Sequence, residues 1–137
     1  MDDLVRWLTA QLDADEEQAR AAAEEYGADW YYDDGFVLAR REDDMVATGS
    51  QDFLERKQGV FIAAHDPARV LRDIDAKRKL LAECQLAEAE ASYPDWMGGY
   101  SSGLDYAVQL VAAEYADREG YDPEWAPRSQ WGPAPSE

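Results

Sequence analysis

From Asp2 to Tyr26 the apolar positions Leu4, Leu8, Leu12, Ala19, Ala23 and Tyr26 form one stripe at close to a helical period. The stripe predicts a long first helix with Asp2 or Asp3 at its N-cap, where an acid also complements the positive end of the helix dipole. Gly27 follows where a C-cap glycine belongs. The period then changes. Trp30-Tyr31-Tyr32 and Phe36-Val37-Leu38-Ala39 flank Asp33-Asp34-Gly35, a turn that supplies the positive φ of a tight hairpin, and Met45-Val46-Ala47-Thr48 follows a second turn at Arg41 to Asp44. This predicts a three-stranded meander, too short to stand without a helix over one face.

Gln51 to Ala64 returns to a helical pattern, with Phe53, Leu54, Val60, Phe61 and Ala64 apolar and Gly59 a weak point. The clearest helix start in the chain is Asp66-Pro67, since the Asp side chain accepts from free N–H groups and proline at the first position loses no needed donor. From there a helix is expected to about Ala91, with Val70, Leu71, Ile74, Leu81 and Cys84 on its buried side. Tyr93 to Tyr100 holds a proline and paired glycines and reads as a loop. Ser102 with Asp105 resembles a capping box for a last helix, whose apolar side is Leu104, Ala107, Val108, Val111, Ala112 and Tyr115. Tyr121 to Trp125 reads as a strap laid back on the fold. The expected architecture is α+β: a long N-terminal helix, a three-stranded antiparallel meander, then three helices with the His65-Asp66-Pro67-Ala68-Arg69 helix central. Residues 1–125 are expected to form a single domain and 126–137 a mobile tail.

Composition adds a charge layout. Thirty acids stand against 13 lysines and arginines, a net charge of −17. Residues 1–36 carry 11 acids and 2 bases (−9), residues 37–80 carry 8 and 9 (+1), and residues 81–137 carry 11 and 2 (−9). The five tryptophans and eight tyrosines argue for a folded chain despite the charge. Such an acidic balance opposes direct nucleic-acid binding, which draws affinity from basic neutralisation of phosphates. The acidic N-terminus is unlike a signal peptide, no apolar run is long enough to span a membrane, and the single cysteine builds neither a disulfide nor a cysteine zinc site. A cytoplasmic location is the expectation.

The chemistry is sparse. His65 is the only histidine and so the only conventional base near neutral pH. Placed between a helix end and an N-cap, it reads first as a structural hydrogen-bonding residue. With Arg69 and Arg72 it is also the candidate ligand-binding set, for a small anion or nucleotide. Asp13, Asp15, Glu17 and Glu24 match positions 1, 3, 5 and 12 of a calcium loop, but Gln18 replaces the required glycine in an alanine-rich helix. No metal ligand set, cofactor motif or catalytic residue is called, and Cys84 on an apolar helix face reads as inert core.

Met1 to Val5, the octapeptide His65 to Arg72 with Ala76-Lys77-Arg78 after it, and Tyr115-Ala116-Asp117 with Tyr121, Glu124 and Trp125 resemble an uncharacterised family of short acidic proteins from actinobacteria and their bacteriophages. The resemblance spans most of the chain. It implies such an origin and no reaction. Many members carry two or more cysteines between the central and last helices, spaced as a metal site; here only Cys84 stands near that linker.

The functional expectation is therefore a non-enzymatic acidic module that binds a host protein, one form of it a DNA mimic facing a nucleic-acid-binding partner. Its candidate partner-binding residues are Asp13, Glu16, Glu17 and Glu24 on the first helix and Trp96 and Tyr100 in the aromatic stretch. The rival expectation is the anion site at His65, Arg69 and Arg72. A third is self-association through the Ala19, Ala22 and Ala23 stripe of the first helix.

Overall fold

The computed structural model describes residues 1–51, 53–89 and 95–128, with the side chains of 95–98 outside that description. Its elements run α1 (Asp2–Ala23), β1 (Trp30–Asp33), β2 (Phe36–Ala39), β3 (Asp44–Thr48), α2 (Arg56–Ala64), α3 (Pro67–Ala89), α4 (Asp95–Ala113) and a 3-10 turn at Pro123–Trp125. This is the α+β order expected, with α3 the middle of the three later helices. The chain divides into two compact units, one of residues Met1–Gln11 and Ala76–Glu137, the other of Leu12–Asp75.

In the unit Leu12–Asp75 the strands form an antiparallel sheet in the order β1-β2-β3. Asp34 (φ 42°) and Gly35 (φ 99°) make the hairpin turn that joins Asp33 to Phe36. Val37 and Ala39 of β2 are fully buried while Phe36 and Leu38 are only half-buried, the alternation of a sheet with one covered face. The cover is α2. Gly59, expected as a weak point, is buried and is where α2 closes on β1: a methyl group there would overlap the Tyr32 ring. Helix α2 starts at Arg56, not Gln51, so Phe53 lies before it and is exposed, and with Gly59 turned inward Val60 and Phe61 are exposed as well. The Tyr32 hydroxyl accepts from Gly35 N at 2.9 Å and donates to the Leu54 carbonyl at 2.9 Å, tying the turn to the segment before α2.

The start of α3 is pinned by one carboxylate. Asp66 is buried; its Oδ1 accepts from Arg69 N and its Oδ2 from Trp30 N, both at 2.9 Å. Beside it Ala68 N donates to the Ala28 carbonyl at 3.0 Å. One side chain thus caps a helix and joins it to the first strand.

The unit of residues 1–11 and 76–137 buries Leu4, Val5 and Leu8 of α1, Leu81, Cys84 and Ala87 of α3, and Val108 and Ala112 of α4. The strap is present. Trp7 lies 5.6 Å from both the Tyr121 and Trp125 rings and donates its indole N–H to the Glu119 carbonyl at 3.1 Å. Gly120 (φ 90°) allows this approach, since a Cβ would stand 2.7 Å from the Trp7 indole nitrogen. The Lys77 ammonium, one-tenth exposed, pairs with Glu114 and reaches the Tyr115 hydroxyl at 3.0 Å.

Two further boundaries differ from expectation. Helix α1 stops at Ala23, where Gly27 (φ 103°) donates to the Ala23 carbonyl and ends it before Tyr26. Helix α4 begins at Asp95, so residues 95–100, read as loop, are helical; Ser102 is within the helix and does not cap it. Glycine costs about 1 kcal/mol per helical position, and the burial of Val108 and Ala112 on the opposite face outweighs it. Residues 90–94 and 129–137, which hold the expected end of α3 at about Ala91, the first two residues of the expected loop and most of the expected tail, lie outside the described residues.

Asp66→Ala removes the cap and leaves the Trp30 N–H without its acceptor, an expected loss of about 2–4 kcal/mol by urea unfolding. Asp66→Asn, which keeps one acceptor oxygen, should lose less. Gly59→Ala should cost about 1–3 kcal/mol in the same measurement, because α2 must lift from Tyr32.

Candidate functional site

The residues around His65 were the candidate anion site. His65 ends α2: its main-chain N–H reaches the Phe61 and Ile62 carbonyls, and its ring Nδ1 lies 2.8 Å from the Phe61 carbonyl oxygen, so Nδ1 donates there. The ring also stacks on Phe61, 4.1 Å between centroids and 28° between planes. Arg69 reaches back to the Ala64 carbonyl at 3.3 Å. Both side chains therefore bond carbonyls of the last α2 turn, and the Arg69 guanidinium is a cation of the kind that a helix C-terminus favours. Arg72 is exposed one turn further along α3. His65 and Arg69 thus both bond the end of α2, His65 within its own helix and Arg69 from α3.

The outer face of the same helix carries what the sequence pattern concealed. Lys57, Phe61 and His65 recur every four residues, with Val60 and Ala64 alongside, and all five are exposed. Phe61 is 63% and Val60 43% exposed. Glu55, Arg56, Lys57 and Val60 line a shallow open depression at its N-terminal end. Glu55 and Lys57 pair across 3.6 Å on the surface.

On α1, Asp13 and Glu17 are exposed, Glu16 is half-buried and pairs with Arg20 at 3.6 Å, and Glu24 is exposed just past the helix end. Asp13 and Glu17, four residues apart, share one face of α1. In the same stripe of alanines, Ala19 is buried, Ala22 exposed and Ala23 half-buried. Tyr100 is exposed on α4, and its hydroxyl donates to Glu83 at 2.6 Å, which holds the phenol above its ordinary value. The Trp96 side chain lies outside the described residues.

One cluster was not legible as a set. Cys84 and Glu88 sit one turn apart on α3, and α4 brings Asp105 to them; the Cys84 Sγ donates to Asp105 Oδ1 at 3.2 Å. The thiol sulfur and one oxygen of each carboxylate lie within 4.8 Å of one another, close enough to share a cation. The Cys-x-x-x-Glu spacing was visible in the chain, but Asp105, read as half of a capping box, was not placed with it. As arranged, the cluster holds protons. Burial, then the Asp105 carboxylate, pushes the Cys84 thiol up to about 12, and burial followed by the charge of Asp105 raises Glu88. Cys84 is therefore a neutral thiol and a poor nucleophile.

A family model described as a family of unknown function (DUF6221) matches residues 1–127. The chain belongs to this family. The match takes in the helix start at Asp66, the α2 surface, the Cys84 cluster and the Trp7, Tyr121 and Trp125 strap, so all are parts of the DUF6221 region of the chain. No curated protein and no solved structure matches the chain.

Folding favours the neutral Cys84 thiol, so its contribution to stability is fully present below the ordinary 9.0 and is lost as pH rises through about 12. Folding likewise favours the neutral Glu88 carboxyl, whose contribution is present below the ordinary 4.5 and lost as pH rises through the raised folded value. Glu88→Gln should consequently stabilise the protein at neutral pH, with the gain shrinking in acid, as read from thermal unfolding at several pH values. Iodoacetamide should label Cys84 only after urea unfolding.

Proposed function

We propose that this protein is a non-enzymatic acidic interaction module, a phage-encoded or phage-derived modulator that binds a host protein in the cytoplasm of an actinobacterial cell. The origin rests on the resemblance carried by His65 to Arg72 and the flanking segments. The binding role rests on one structural observation: α2 turns Val60 and Phe61 outward on a chain that is 31% charged. A helix that packs on a sheet ordinarily gives its other side to polar residues. Exposed apolar side chains grouped on one helical face mark a contact surface, and an aromatic among them is the residue type that anchors interfaces.

The acids supply the second element of the reading. With a net charge of −17, the protein repels acidic partners at a distance and draws basic ones, so charge sets selectivity and encounter rate while the apolar anchors supply affinity. Asp13 and Glu17 on one face of α1, with Glu24 just past its end, suit a host protein whose own ligand is nucleic acid, with the carboxylates standing for phosphates.

The test is retention of host proteins by the tagged full chain from a nuclease-treated actinobacterial lysate at two salt concentrations, with Phe61→Asp and Val60→Asp alongside. A host protein held by the parent chain, released by salt and lost with either substitution at unchanged circular dichroism is the expected result. Retention that neither substitution alters, or none at all, would remove this reading.

A further inference from the structure

Helices α3 and α4 bring together a set of donor atoms that the interaction surface on α2 does not use. Cys84 and Glu88 stand on adjacent turns of α3 and Asp105 meets them from α4, all within the unit of residues 1–11 and 76–137. Cys84 is fully buried, and Glu88 and Asp105 are half-buried. The Cys84 Sγ lies 3.2 Å from Asp105 Oδ1, and with one Glu88 oxygen the three atoms lie within 4.8 Å of one another.

We propose that this cluster is a binding site for a divalent cation of the zinc class, held by the Cys84 sulfur and one oxygen each from Glu88 and Asp105, with water completing the coordination. Three observations favour it. The first is spacing. Tetrahedral zinc with Zn–S near 2.3 Å and Zn–O near 2.0 Å sets a sulfur and an oxygen ligand about 3.5 Å apart. The Cys84 and Asp105 atoms are already close to that separation, and Glu88, four residues from Cys84 on the same helical face, adds a third ligand from a flexible side chain. The second is charge. The groups acting most strongly on Cys84 and Glu88 are the carboxylates of Asp105, Asp2 and Glu88 itself, with the Met1 amino group as the cation among them. A dication offsets negative charge that no lysine or arginine in that set offsets. The third is access. Asp2, close enough for its charge to act on Glu88, also lines an open depression with Val5, Arg6, Thr9 and Gln85, which gives a cation a polar approach from solvent.

The donor types choose the metal. A thiolate beside two carboxylates suits zinc and its neighbours, whereas magnesium and calcium take oxygen ligands throughout. No electron moves on loading: the Cys84 S–H bond breaks, its proton passes to water, and the sulfur electron pair binds the cation. Competition with that proton, and three protein ligands in place of four, make the site weaker than a structural four-ligand zinc site.

Titration of the full chain with Co²⁺, in excess Mg²⁺ to occupy exposed carboxylates, tests the proposal. One equivalent of Co²⁺ should give the near-ultraviolet absorption of a thiolate–cobalt bond, and Zn²⁺ should displace it. Zn²⁺ at a hundredfold above its Kd should raise the thermal midpoint on the order of 5–10 °C. Cys84→Ser should lose both the absorption and the shift. Glu88→Gln separates loss of a ligand from loss of the fold: metal-free, it should be at least as stable as the parent at neutral pH, yet its affinity for Co²⁺ should fall about tenfold or more. A parent chain without the near-ultraviolet band, a Zn²⁺ shift that survives Cys84→Ser, or full Co²⁺ affinity in Glu88→Gln would overturn the proposal.

Discussion

The two oxygens of Asp66 decide how the unit Leu12–Asp75 is assembled. One caps α3 through Arg69 N, the other holds the backbone of Trp30, and the adjacent hydrogen bond from Ala68 N to the Ala28 carbonyl repeats the link. A buried carboxylate is costly unless its oxygens are occupied, and two backbone N–H groups occupy both. The first strand and the first turn of α3 are therefore held in one register. His65 and Arg69, bound to the last carbonyls of α2, extend the same device to the helix before it. Arg69 is the joinery between α3 and α2, while His65 closes the last turn of α2 on itself.

That joinery explains why α2 has an exposed apolar face. Its orientation is set by the glycine contact with Tyr32 on one side and by the short passage through His65 and Asp66 on the other. Once Gly59 faces the sheet, helical geometry puts Val60 and Phe61 outward. Fold and proposed binding surface are then two results of one constraint.

The Cys84, Glu88 and Asp105 cluster is a different kind of feature. Burial and the Asp105 carboxylate raise the proton affinity of the Cys84 thiol and of Glu88, and Glu88 costs stability as pH rises through its raised folded value. Its chemistry in this arrangement is proton holding, with Cys84 neutral.

Much of the fold was legible in one dimension because its signals are local. The Asp-Pro helix start, the Asp-Gly hairpin and the buried stripes of α1, α3 and α4 depend on residues within a turn or two of each other and are found where the pattern put them, although α1 ends at Ala23 and leaves Tyr26, the last residue of its expected stripe, exposed. The strap was legible too, from aromatics after the last helix. What failed were judgements that depend on distant partners. Gly59 read as a weakness until Tyr32 was opposite it; residues 95–100 read as loop until burial elsewhere on α4 outweighed its glycines. Asp105 read as half of a capping box until Cys84 was beside it, and the apolar pattern at Phe61 did not say which way it would face until α2 had turned. Local sequence determines which backbone states are accessible, so the elements and their order follow from it. Which face of an element is covered depends on what packs there, and only the tertiary structure decides that.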